Sequence, residues 1–195
     1  MRIVGGALKG RSLAAPKDTR IRPTTDRTRE SLFNILAHAE AIETDFEELR
    51  VLDLFAGTGA LGFEALSRGA AFALFVDDHP ASRGLIRENA DTLGLMGCSK
   101  IYRRDATKLG PRPGSVGPAF HIVFADPPYG KGLGEEALLS ALEGGWLAPG
   151  ALIVLEEAKR ANFTPPAAFT LLDRRDYGDT SLFFLRAPLD LGGGG

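Results

Sequence analysis

Asp53-Leu54-Phe55-Ala56-Gly57-Thr58-Gly59 is the stretch from which the fold can be read. It closes a short apolar run, Arg50–Phe55, turns through two glycines and enters Ala60–Arg68, which reads as a helix. A buried strand that breaks on glycine and resumes as a helix is the opening unit of a parallel α/β sheet. The glycines let backbone approach a ligand closely, and the helix N-terminus offers free N–H groups to an anion. That anion is either a pyrophosphate or an amino-acid carboxylate.

Outward from this turn, strands and helices alternate. Phe72–Val76, Lys100–Arg103, Phe120–Ala125 and Ala151–Leu155 read as strands; Pro80–Leu93 and Gly134–Leu142 read as helices. Phe169–Arg175 and Ser181–Arg186 read as a closing hairpin, and Leu32, Ile35, Leu36 and Ala39 mark one face of a helix from about Asp26, capped by Thr25 or Asp26. The expected fold class is α/β, a three-layer sandwich around a mostly parallel seven-stranded sheet. Ligands of such sheets bind beyond the carboxyl ends of the strands. Four of those ends carry an aspartate: Asp53, Asp77, Asp105 and Asp126. Asp77 lies 20 residues after Gly57, the spacing of a ribose-diol acceptor, with Asp78 one register step away. Asp105, followed by Ala106, suits an adenine exocyclic amine. Gly57-Thr58-Gly59-Ala60-Leu61-Gly62 also satisfies the dinucleotide pattern G-x-G-x-x-G, so a nicotinamide enzyme stays open at this point.

Phe124-Ala125-Asp126-Pro127-Pro128-Tyr129 separates the two. Here a buried strand ends in an acid, two prolines and an aromatic ring. The prolines stop strand pairing, and Pro128 restricts Pro127 so that its carbonyl keeps one direction. Two rigid acceptors, the Asp126 carboxylate and the Pro127 carbonyl, then stand beside the Tyr129 ring. This suits an amine attached to a nucleobase, and a dehydrogenase has no use for it.

Asp53–Gly59 resembles motif I of class I methyltransferases, and Asp126–Tyr129 resembles the (D/N)-P-P-(Y/F) motif of amine methyltransferases. Met1-Arg2-Ile3-Val4-Gly5-Gly6, with Arg22 through Leu36, resembles the RsmD family, bacterial enzymes that methylate N2 of one guanine in small-subunit ribosomal RNA. The resemblance runs from Met1 to about Arg186. It implies S-adenosyl-L-methionine as cofactor, held by Asp53, Phe55, Ala56, Gly57, Gly59, Asp77, Asp78, Asp105, Ala106 and Asp126. It implies Asp126, Pro127 and Tyr129 as the catalytic group and 16S rRNA as partner; the slightly negative total charge adds the expectation of a shaped target, an assembling small subunit. The segment Arg22–Asn34 is implied to border both cofactor and RNA. Asp77 stands where related enzymes often have glutamate. Alternatives are an adenine-N6 or other nucleic-acid amine methyltransferase, a NAD-dependent oxidoreductase, and a non-catalytic RNA-binding assembly factor.

Charge supports an RNA contact. Residues 1–29 carry eight basic and two acidic side chains, a net charge of +6, which leaves −8 for the rest of a chain whose total is −2. Arg2, Lys9, Arg11, Arg20, Arg22, Arg27 and Arg29 are the expected phosphate contacts, and the resemblance and the stacking role add Thr24, Pro128 and Tyr129 as expected RNA-binding residues. The expected organisation is a basic extension over 1–25, a methyltransferase domain over 26–188 and a disordered tail over 189–195. With 195 residues, 44% hydrophobic, and no apolar run near the roughly 20 residues of a membrane span, the chain reads as one cytoplasmic domain, expected to be monomeric. One cysteine, Cys98, and three scattered histidines give no metal-ligand spacing. Trp146, Phe183 and Phe184 read as core, and Tyr177 as a minor candidate near the base.

Overall fold

Five apolar runs become parallel strands. The computed structural model describes residues 1–17, 24–40, 42 and 45–192. In it β1 (Arg50–Leu54), β2 (Phe72–Val76), β3 (Ser99–Tyr102), β4 (Phe120–Ala125) and β5 (Leu147–Ala158) run in one direction. β6 (Thr170–Tyr177) and β7 (Thr180–Arg186) form the expected hairpin, with β7 antiparallel to β5. The order β3-β2-β1-β4-β5-β7-β6 makes a seven-stranded sheet that reverses direction of growth between β1 and β4. A crevice opens at such a reversal, beyond the strands' carboxyl ends.

Both faces of the sheet are covered, so the central strands are apolar throughout rather than alternating. α1 (Asp26–Ala37), α2 (Ala60–Ser67) and α3 (Pro80–Leu93) bury Leu32, Phe33, Phe63 and Ile86 against Val51, Phe75, Ile122 and Phe124. On the other face α4 (Leu133–Glu143) packs Ala137, Leu138 and Ala141 on Leu52, Val123, Ile153 and Leu155. Trp146, Phe183 and Phe184 are core residues, as expected. Thr25, rather than Asp26, caps α1: its Oγ1 accepts from the Thr28 N–H at 3.1 Å. The glycine- and proline-rich loop after β3 includes a short turn, Gly114–Val116, whose buried Val116 carbonyl accepts from Arg50.

Two boundaries differ in a way that matters. α1 stops at Ala37, short of Ala39. β5 begins at Leu147 and continues to Ala158, well past the expected Ala151–Leu155. Its extra residues at the carboxyl end include Glu156 and Glu157, 6% and 2% exposed. Hydropathy reads two adjacent glutamates as the end of a strand; pairing with Leu182 and Ser181 of β7 carries them on.

Residues 1–14 lie against the helices instead of standing off in solvent. Arg2 and Ser12 form an antiparallel bridge, and Ile3 and Leu13 are buried in the helical core cluster. Buried polar side chains receive the segment: Val4 N–H donates to Glu64, Leu8 N–H to Ser67 Oγ, and Ala14 N–H to Asn89 Oδ1. Gly6 is obligatory here. Its φ is +74°, and a Cβ would come within 1.9 Å of the Ser67 carbonyl oxygen. Among the described residues, no helix is long and apolar enough to cross a membrane.

Candidate active site

The turn after β1 is tightly ordered by its own acids. Asp53, 2% exposed, directs Oδ2 to the Gly62 N–H at 3.0 Å, inside the first turn of α2. Asp77, at the end of β2, accepts from the Gly57 N–H at 3.0 Å with one oxygen and from the His79 N–H at 2.9 Å with the other. The two carboxylates thus fix the glycine turn from below and from the side. Phe55 enters that turn at φ +54°, a left-handed conformation costing an ordinary side chain about 1–3 kcal/mol, which the surrounding bonds must hold.

The three glycines serve different ends. A Cβ on Gly57 would meet nothing within 4 Å, so this residue borders open space and its φ of +59° is the reason for glycine. A Cβ on Gly59 would lie 2.6 Å from the Phe63 ring, and one on Gly62 would lie 2.4 Å from the Phe75 ring. Sequence reading assigned Gly59 to close approach of a ligand; the geometry turns it inward, to helix–sheet packing. Ala56 is 9% exposed and Ala106 4%. Asp105 is engaged locally, its Oδ1 accepting from the Thr107 N–H and hydroxyl, which holds its carboxyl below the ordinary range. Asp78 is exposed; its backbone carbonyl accepts from Arg83. An open glycine, the N-terminus of α2 and the carboxylates of Asp77 and Asp105 beyond β2 and β3 fit the chemistry of an adenosyl amino acid, while Asp53 holds the turn from within.

Beside this turn, β4 ends in Asp126. The register pairs Leu54 with Ala125, and Asp126 N–H reaches the Leu54 carbonyl at 3.5 Å, so the motif begins directly next to the glycine turn. Among the described residues, no hydrogen bond occupies the Asp126 carboxylate. Burial, then the negative charges of Glu156, Asp53 and Glu157, push its pKa well above the usual carboxylate value. Tyr129 is 41% exposed, yet its hydroxyl donates to Glu156 Oε1 at 2.7 Å. Burial raises the phenol's pKa most; a hydrogen bond with Thr180 opposes it, and the charge and hydrogen bond of Glu156 add to the rise. Thr24 Oγ1 donates to the other oxygen of Glu156, also at 2.7 Å. Gly130 N–H donates to Glu157 Oε1 at 3.0 Å.

A family model described as Conserved hypothetical protein 95 matches residues 1–186. The chain belongs to this family, the RsmD family. Among relatives of this RsmD-family protein, ribosomal RNA small subunit methyltransferase D of Escherichia coli is 41% identical over 173 residues, 88% of this chain and 82% of the relative. The protein of the same name from Haemophilus influenzae is 34% identical, covering 93% and 91%. The solved structure of Escherichia coli yhhF superposes with a TM-score of 0.79 at 34% identity, over 97% of this chain and 98% of that one. Its fold is the class I methyltransferase fold expected from the turn at Asp53–Gly59.

The RNA-binding residues expected from sequence divide by placement. Arg2, Lys9, Arg11 and Arg27 are exposed, while Arg20 and Arg22 lie outside the described residues. Arg29 is a correction: its side chain is wholly buried, with Nη2 donating to the Arg2 carbonyl at 2.6 Å and to Asp26 at 2.5 Å. It ties α1 to the N-terminal segment and presents nothing to a phosphate. Tyr177, the minor candidate near the base, shares a hydrogen bond between its hydroxyl and Ser31 Oγ at 2.8 Å. Glu156 and Glu157 escaped sequence reading. Their signal was the end of a fifth parallel strand, where two acids follow Leu155 as Asp126 follows Ala125.

Proposed function

We propose that this protein transfers a methyl group from S-adenosylmethionine to the exocyclic N2 amine of a guanine in 16S ribosomal RNA. The observation that carries the reading is the Asp126 carboxylate, unoccupied by any hydrogen bond among the described residues, beside a glycine turn that fits the cofactor. The names of the relatives support ribosomal RNA as the substrate, and the RsmD resemblance supports guanine N2.

S-adenosylmethionine supplies an electrophilic methyl carbon on a sulfonium. The chain's own residues prepare the amine. A guanine amine is a poor nucleophile because its lone pair is delocalised into the ring. Hydrogen bonds from its two N–H groups to Asp126 and the Pro127 carbonyl favour a pyramidal nitrogen and localise that pair. The same carboxylate offsets the positive charge that grows on nitrogen. Tyr129 presents a ring face for stacking, a contact worth about 1–3 kcal/mol per base in single-strand binders. Holding the amine in line supplies much of the remaining rate; well-oriented reactions gain up to roughly 7–11 kcal/mol this way.

Arg2, Lys9, Arg11 and Arg27, together with Arg20 and Arg22, supply phosphate contacts that carry no base information. Since the whole chain is slightly acidic, tight binding needs a shaped target, an assembling small-subunit particle rather than a short protein-free RNA. The test is mass spectrometry of 16S rRNA from cells with and without the protein. Loss of one N2-methylguanine, restored by the wild-type chain, is expected. Loss of an N6-methyladenine instead would assign the same site to adenine, and an unchanged methylation pattern would overturn the proposal.

A further inference from the structure

Glu156 lies outside the Asp126–Tyr129 motif, yet its carboxylate accepts hydrogen bonds from both Tyr129 and Thr24. We infer that Glu156 is the positioning residue of the target-base site, holding the Tyr129 ring and the start of α1 in one arrangement around Asp126. This rests on the methyl-transfer reading and adds to it a residue with no motif of its own.

The geometry is specific. Both oxygens of one buried carboxylate are used, Oε1 by the Tyr129 hydroxyl and Oε2 by the Thr24 hydroxyl, each at 2.7 Å. Thr24 immediately precedes the Thr25 cap of α1, and Tyr129 closes the Asp126–Tyr129 motif. A single side chain from a third element therefore bridges two segments that lie 132 and 27 residues from it in the chain. Glu157, on the same strand, holds the next peptide of the loop through the Gly130 N–H. An exposed tyrosine left to itself samples several rotamers. Here the hydroxyl is anchored at its far end while the ring remains accessible, the state a stacking platform requires.

Burying this acid is costly unless its oxygens are satisfied, and an apolar residue would continue β5 at less cost. Its presence is explained by what it orients. Its charge also reaches Asp126. The groups facing Asp126 are Asp53 from β1, Glu156 and Glu157 from β5, and Tyr129 from its own loop; the three acids all disfavour its ionisation.

The experiment is steady-state methylation of the 16S substrate by Glu156→Ala, Glu156→Gln, Tyr129→Phe and the Glu156→Ala/Tyr129→Phe double variant, with cofactor affinity and melting temperature measured alongside. Glu156→Ala and Tyr129→Phe are each expected to lower kcat/KM for RNA by about 10- to 100-fold, with cofactor Kd changed by less than about twofold. The double variant is expected to be no worse than the poorer single one, because the contact through which Glu156 acts on the ring is already lost in either. Glu156→Gln, which keeps the shape but loses the charge, is expected to recover much of kcat and to move the acid limb of the pH profile to lower pH. Unchanged kcat/KM in Glu156→Ala, additive losses in the double variant, or an acid limb unmoved in Glu156→Gln would each overturn the inference. A wild-type chain inactive on the RNA would instead fail the methyl-transfer reading itself, so the two failures are distinguishable. Should Glu156→Ala not fold, Tyr129→Phe and Glu156→Gln still decide the matter.

Discussion

The ends of β1 and β4 are neighbours in register, and both carry an aspartate, but the two aspartates live differently. Asp53 is bonded to the Gly62 N–H, and beside it Asp77 accepts from two more backbone N–H groups. Asp126 accepts none among the described residues and faces three other acids. Backbone donors on the first side make the acids part of the scaffold, so that side is built for shape. On the second side like charges surround an acceptor with no hydrogen bond among the described residues, as the proposed methyl transfer requires. Substitutions should respect this division: damage at β4 should show in turnover, and damage at β1 in binding and stability.

The largest effect tests the reactive side. Asp126→Ala should lower kcat by at least about 10²–10³-fold while cofactor affinity stays close to wild type, read by single-turnover kinetics and cofactor titration. A large loss of cofactor binding with normal turnover at saturation would erase the distinction between the two ends. On the scaffold side, Gly62→Ala forces a Cβ to 2.4 Å from the Phe75 ring, and should cost about 1–3 kcal/mol in urea unfolding, with weaker cofactor binding as a consequence. Asp77→Ala removes the acceptor of the Gly57 N–H and the candidate diol acceptor together. We expect cofactor Kd to rise by about tenfold or more, and kcat at saturation to fall far less.

The smallest effect concerns pH. Asp126 has a folded-state pKa raised by burial and by its acidic neighbours. A raised carboxyl binds its proton more tightly folded than unfolded, so stability from this group is present at acid pH and is lost as pH rises from the ordinary carboxylate range through the raised value. Asp126→Asn removes that loss. Its melting temperature should therefore exceed that of the wild type, by a margin that widens from acid to neutral pH, even as turnover falls. A margin that shrinks with rising pH would mean that Asp126 is stabilised as an anion by a partner outside the described residues.

Much of this division was legible in the amino-acid order. Apolar runs leading to Asp77 and Asp126, and the run through Asp53 to Phe55, located three strand ends, and the two prolines after Asp126 marked the rigid loop. What escaped was polarity in unexpected places. Glu156 and Glu157 read as the end of a strand because buried carboxylates violate the pattern that marks strands, yet β7 pairs with them and they steady the reactive loop. Arg29 read as a phosphate ligand because charge counts ignore burial. The first 14 residues read as a basic arm because their partners, Glu64, Ser67 and Asn89, are far away in the chain and look like ordinary helix-surface residues. Gly59 followed a ligand pattern whose geometric reason turned out to be the rings of Phe63 and Phe75.

That docking of the N-terminal segment has a consequence for biosynthesis. This stretch has its hydrogen-bond partners 59 to 75 residues later, the last of them on α3. At translation speeds of roughly 5–20 residues per second, Ala14 waits on the order of 4–15 s before Asn89 exists to receive it. During that interval Ile3 and Leu13 have no core to enter, and the nascent chain presents a short, positively charged, partly greasy segment to whatever is nearby.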